Sequence, residues 1–240
     1  MGSNPTLPAT LTVSSLEAVV FIIDRLQFER IAIMTSQLIL KSAAVGPWPM
    51  NSYALICTET KQSLLIDPGA EPQTLLALLD NSTPLAIFLT HAHHDHVGEL
   101  AEMKTRLNVP VYMHPGDSPM AVSADIWLAG GETITVGRHA LQAIHTPGHT
   151  SGMVSLMLPD QRVIVGDTIF QGGPGRTWSP LFFKLTLQTM REVIFKWPDE
   201  TECFPGHGSS FRLGDERPAY EAFLRRDHPA DLYGDVIWAR

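Results

Sequence analysis

Thr90-His91-Ala92-His93-His94-Asp95-His96 decides how this 240-residue chain is read. It follows residues 85–89, Leu-Ala-Ile-Phe-Leu, an unbroken apolar run of the kind that forms a strand buried on both faces. It precedes residues 98–107, where a helix is expected. A loop leaving a rigid strand aims its side chains into one crevice. In extended backbone, residues two apart point to the same side, so His91 and His93 can converge on one metal ion. Asp95 and His96, at the turn into the helix, can serve a second. Imidazole nitrogen and carboxylate oxygen suit zinc, iron or manganese. The bland explanation is a surface histidine tract, and the buried strand before the cluster argues against it. His94 reads as a helix-entry residue that points away.

Upstream, residues 37–44 form a short apolar stretch. Residues 52–58 and 63–66 read as a hairpin closed by residues 59–62, and Asp67-Pro68-Gly69 stops its second strand. A helix is expected over 72–79 and a strand over 109–113. Downstream, short strands are expected at 134–136 and 140–144, a hairpin at 152–158 and 162–165, a helix at 185–197, a strand at 201–204 and a helix at 217–226. Three further motifs stand out. Thr146-Pro147-Gly148-His149-Thr150 and Phe204-Pro205-Gly206-His207-Gly208 each use Pro-Gly to form a sharp loop that presents one histidine. Val163-Ile164-Val165-Gly166-Asp167 places Asp167 at a strand end, where a carboxylate can bridge two metals; alone, such an aspartate is more often a turn former. Periodicity by itself indicates mixed α and β structure. No low-complexity linker divides the chain, so residues 35–240 read as a single domain. Residues 1–34 read as an N-terminal extension packing on or beside the core, with Val19, Ile22, Ile23 and Leu26 on a helical stripe.

Composition narrows the function. Hydrophobic residues at 44% and charged residues at 18% are globular values, too apolar for a disordered chain. The net charge of −8 makes nucleic acid a poor partner, because binding a polyanion needs a basic face. No apolar run reaches the ~20 residues of a membrane span. No basic residue precedes Arg25, so the start lacks the positive region of a secretory signal, and a cytoplasmic location is expected. Cys57 and Cys203 are too few for a disulfide framework and read as buried thiols.

In chain order, His-x-His-x-Asp-His, then a lone His, an Asp and a His resemble the metallo-β-lactamase superfamily, across roughly residues 35–228. The resemblance implies an α+β fold, a four-layer αββα sandwich of two mixed sheets with helices on the outer faces. It implies one metal on His91, His93 and His149, another on Asp95, His96 and His207, and Asp167 bridging them. Asp67 matches a position that supports the metal histidines from behind, or serves as a turn residue. Residues 166–177, containing Gly-Asp-Thr-Ile-Phe and Gly-Gly-Pro-Gly-Arg-Thr, are most similar to the glyoxalase II-like (hydroxyacylglutathione hydrolase-like) branch. The chain is similar to a short form of it, without the long helical C-terminal domain. The implied enzyme is a metal-dependent hydrolase of small-molecule acyl thioesters. It would hold two divalent ions, zinc first with iron or manganese also suited, and use a metal-bridging hydroxide that Asp95 orients. Arg176 would meet an anionic substrate or form a structural ion pair. Trp178, Phe182 and Phe183 are expected in core packing before pocket walls. The alternative in the same superfamily is a mononuclear iron persulfide dioxygenase using His91, His149 and Asp167. That group carries an aspartate after Gly-Arg-Thr, where this chain has Trp178. Oligomeric state is left open.

Overall fold

The computed structural model describes residues 37–120 and 122–239. The extension over residues 1–34, with its helical stripe, lies outside the described residues.

Alternation along three strands sets the layers. In β3 (Gln62–Ile66), Leu64 and Ile66 enter one core while Leu65 enters another. In β4 (Thr83–Phe88), Ala86 and Phe88 join the first core and Ile87 the second. In β10 (Arg162–Gly166), Ile164 faces that first core while Val163 and Val165 face a third. Side chains two apart share a face, so an uninterrupted apolar strand needs cover on both sides. Two such sheets back to back, each capped by helices, give the four-layer sandwich expected from the resemblance.

The first sheet runs in chain order: β1 (Leu38–Val45), β2 (Met50–Cys57), β3, β4, β5 (Val111–Met113) and β6 (Ile126–Trp127). It is antiparallel up to β3 and parallel from there. Its outer core is completed by α1 (Pro72–Leu78) and α3 (Leu100–Leu107), through Leu75, Leu78, Leu100 and Met103. Between these helices lies the single turn α2 (His94–Val97). The second sheet has the order β14-β13-β10-β9-β8-β7. Its members besides β10 are β7 (Thr133–Val136), β8 (His139–His145), β9 (Val154–Met157), β13 (Glu202–Pro205) and β14 (Phe211–Arg212). Only β10 and β13 pair in parallel. Helices α4 (Pro180–Glu192) and α5 (Leu213–Leu224) cover it. The strands β11 (Ile169–Phe170) and β12 (Gly173–Pro174) make a separate ribbon. Cys57 and Cys203 are buried thiols in different sheets.

Some element bounds differ from the sequence expectations for local reasons. The helix expected over 98–107 starts at Leu100, and a separate single turn before it, α2, carries His94, Asp95 and His96. Helix α4 starts at Pro180, where Ser179 caps Phe182 N and proline takes the first turn, and the chain then tightens into a 3₁₀ turn at Ile194–Lys196. Helix α5 starts at Leu213, before the expected 217. Strands β6 and β14 span two residues each, too short for any alternation to show.

The C-terminal segment returns to the second outer core. Trp238 is fully buried against Tyr220 and Phe223, with ring centroids 5.3 and 5.1 Å away, and its backbone N–H donates to Gly172 O at 2.8 Å. Trp238→Ala should lower stability by about 3–5 kcal/mol, measured by denaturant unfolding, because a large side chain leaves a cavity the fixed helices cannot fill.

Candidate metal centre

Five strands reach one rim of the sandwich, and the chain leaving each carries a polar side chain. Asp67 follows β3, His91 and His93 follow β4, and His149 follows β8. Asp167 follows β10 and His207 follows β13. Asp95 and His96 come from α2, one loop beyond β4. The two sheets are tied together at this rim. Asn51 N donates to Gly206 O at 2.7 Å, Tyr53 OH donates to Pro205 O at 2.6 Å, and Val154 N donates to Thr90 O at 2.8 Å.

Three imidazole nitrogens meet at one point. His93 Nδ1 lies 3.1 Å from His91 Nε2 and 2.7 Å from His149 Nε2. The second set is Asp95, His96 and His207, with His207 Nε2 at 3.1 Å from Asp95 Oδ2. Asp167 stands between them. Its Oδ1 is 3.4 Å from His96 Nε2, and its Oδ2 is 3.5 Å from His149 Nε2 and 3.8 Å from His207 Nε2. Gly206 makes this packing possible, since a Cβ there would sit 2.2 Å from Asp167 Oδ1 and 2.6 Å from His96 Cε1.

The far nitrogen of each remaining imidazole is occupied. Thr90 Oγ1 gives its proton to Asp67 Oδ2 at 2.6 Å, so it accepts from His91 Nδ1 at 3.1 Å. His96 Nδ1 bonds Asp67 Oδ2 at 2.9 Å. His149 Nδ1 donates to Arg176 O at 2.8 Å, and His207 Nδ1 to Pro49 O at 3.2 Å. Each bond fixes the ring and turns Nε2 inward, the arrangement that metal-ligating histidines use. Asp67 also accepts from Thr90 N at 2.8 Å. Its carboxylate thus bonds Thr90 and His96, and it also lies with His91 and His96 in a group of donor atoms within 4.8 Å of one another. His96 Nε2 and Asp167 Oδ1 are buried with no hydrogen-bond partner. Orphaned buried polar atoms are costly, and a cation between them would satisfy both. The donor set therefore fits divalent metal.

The electrostatics of the metal-free protein show the same demand. Burial pushes the pKa of His93 down to about 4, with His149 adding to the shift. Burial also holds His91 and His149 below their usual value. Burial opposes charge on His96 too, but the Asp167 carboxylate beside it and Asp67 behind it prevail and push it up to about 10. The His207 hydrogen bond brings Asp95 down to about 2.

The rim opens into a cleft of about 400 Å³ lined by Asp167, Phe170, Arg176, His207, Asp235 and Ile237, among others. Arg176 pairs with Asp235 at 3.1 Å and lies over the Trp178 ring at 5.0 Å. Its ion pair is thus intramolecular, the second of the two roles expected for it. Phe183 is core, but Trp178 is exposed at the mouth, its ring centroid 6.0 Å from that of His93, which corrects the core reading. His94 is exposed and lines a second recess with Trp48, beyond Asp95. Sequence reasoning missed Asp117 and the C-terminal residues Asp235 and Ile237. Asp117 sits in a Pro-Gly-Asp stretch that reads as a turn, and the other two are far along the chain from any motif.

Residues 45–207 match the sequence profile of the metallo-beta-lactamase superfamily. The chain is 35% identical over 186 residues to the probable metallo-hydrolase YqgX of Bacillus subtilis (strain 168), covering 68% of this chain and 87% of that one. It is 37% identical over 130 residues to the hydroxyacylglutathione hydrolase of Bartonella tribocorum, covering 53% of this chain and 50% of that protein. Three solved structures are similar. BLEG-1 B3 metallo-beta-lactamase is 28% identical with a TM-score of 0.66, covering 75% of this chain and 97% of that one. TTHA1623 in a di-iron-bound form is 33% identical with a TM-score of 0.64, covering 74% and 96%. ETHE1 from Myxococcus xanthus is 28% identical with a TM-score of 0.65, covering 75% and 81%. The chain belongs to the metallo-β-lactamase superfamily and is a metal-dependent hydrolase of that group.

Proposed function

We propose that this chain hydrolyses small-molecule acyl thioesters at a centre of two divalent ions. One ion is held by His91, His93 and His149, the other by Asp95, His96 and His207, with Asp167 shared. The observation that carries this reading is Asp167, buried with one oxygen toward His96 and the other toward His149 and His207. The likeness to a hydroxyacylglutathione hydrolase supports a thioester as substrate, over half of that enzyme's length.

Bound to these residues, two divalent ions would supply an acidified water and positive charge for the substrate carbonyl and the departing thiolate. Neither cysteine is placed to act as a nucleophile, since Cys57 and Cys203 are buried and burial pushes the Cys203 thiol up to about 12. Asp95 stays ionised throughout the neutral range and accepts a hydrogen bond from the attacking water, orienting its lone pair to the acyl carbon. Asp67 and Thr90 hold the rings of His96 and His91, so the donors need no reorganisation during the reaction. Phe170 and Ile237 give the cleft apolar walls, which keep bulk water from the thioester. An anionic substrate arm at the mouth competes with Asp235 for Arg176. A second reading, one iron on His91, His149 and Asp167 with a persulfide as substrate, draws on the likeness to ETHE1 from Myxococcus xanthus. The further donors gathered beside that triad favour two ions.

Elemental analysis of protein purified without added metal should approach two ions per chain, and the zinc-loaded protein should hydrolyse S-lactoylglutathione or simpler acyl thioesters with little turnover of β-lactams. A saturable stoichiometry of one, with oxygen consumed on a glutathione persulfide by the iron form, would transfer the assignment to the second reading. Asp167→Asn keeps the shape but loses the charge shared by both clusters, and activity should fall by at least ~100-fold. Without metal the variant should melt below the parent, because the carboxylate that faces His96 and holds its proton is gone.

The pH dependence has a defined sign. The folded pKa of His96, about 10, lies above its unfolded value of about 6.5. Its stabilisation of the metal-free fold is fully present below the unfolded value and is lost as pH rises toward the folded one. Metal must displace that proton. Zinc uptake near pH 7.5 should release at least about one proton per chain, read with an indicator dye in weak buffer, and zinc affinity should rise with pH through the neutral range.

A further inference from the structure

Asp117 is buried, 1% exposed, in the 3₁₀ turn Pro115–Met120 that follows β5. Its carboxylate joins two loops that are distant in sequence. Oδ2 accepts from Ala92 N at 3.1 Å, the residue between His91 and His93. The same oxygen accepts from Thr150 Oγ1 at 2.9 Å, the residue after His149, and Oδ1 accepts from Gly152 N at 2.7 Å. The approach is close enough that a Cβ on Gly152 would lie 2.6 Å from Asp117 N and 2.7 Å from its Cγ. Three donors converge on one side chain, and an ionised carboxylate, which only accepts, takes all of them. Every one of these donors belongs to the loops that deliver His91, His93 and His149. None belongs to α2 or to the loop after β13, which deliver Asp95, His96 and His207.

We propose that Asp117 is a positioning residue that sets the spacing between the His91–His93 loop and the His149 loop, and so tunes the metal affinity of the three-histidine cluster alone. The inference rests on the two-metal reading. A carboxylate that clamps both loops holds three imidazole nitrogens within reach of one ion before the ion arrives. Asparagine has nearly the same shape, but its amide nitrogen cannot accept, so at least one loop donor would face another donor.

The test measures zinc affinity by competition with a chromophoric chelator in two full-length backgrounds. His207→Ala disables the second cluster, and His149→Ala disables the first. Adding Asp117→Asn to His207→Ala should weaken zinc by about 10–100-fold, the range typical of losing a partner behind a ligand. The visible bands of the cobalt-substituted protein should change with it. Adding Asp117→Asn to His149→Ala should leave the remaining affinity unchanged. Equal losses in both backgrounds, or no loss in the first, would overturn the proposal. If Asp117→Asn does not fold, Thr150→Val removes a single donor, and it should give a smaller loss in the first background only. No loss there would likewise overturn it. If the His207→Ala parent binds no zinc, the two-metal reading falls and this proposal with it.

Discussion

The Asp167 carboxylate is buried between imidazoles from both halves of the site, and the surrounding structure keeps it there. A carboxylate in that position is unfavourable unless positive charge faces it. The Asp167 and Asp67 carboxylates beside His96 raise its pKa against burial, whereas burial lowers those of His91 and His93. Proton and metal thus compete for the same place.

Such a centre needs a rigid rim. The sandwich provides it because β3, β4 and β10 are covered on both faces, so none of these three strands can shift without disturbing two cores. Cross-sheet bonds from Asn51 and Tyr53 to the strand before His207 lock the two sheets at the end where the donors emerge. Behind the donors, a second tier of carbonyls and carboxylates sets each ring: Asp67, Pro49 O, Arg176 O and, through backbone, Asp117. Fixed orientation matters more here than added energy, because ligand geometry governs metal affinity.

The C-terminal segment joins the architecture to selectivity. Trp238 anchors it in the outer core, and this brings Asp235 and Ile237 to the wall of the cleft. Asp235 neutralises Arg176 there, so the mouth carries a paired charge instead of a bare cation.

The side chains that converge at the rim were legible from the chain alone because they sit in short motifs directly after apolar strands. The histidine cluster after residues 85–89, the two Pro-Gly-His turns and the Gly-Asp at 166–167 are local signals, and the layer order followed from a resemblance those residues carry. Helix starts at Pro180 and Leu213 and the two-residue strands depended on capping and pairing that periodicity does not register. Asp117, the Arg176–Asp235 pair and the exposed Trp178 were decided only by tertiary structure. Their roles come from contacts between segments far apart in sequence: an aspartate after a glycine looks like a turn until the fold delivers three donors to it.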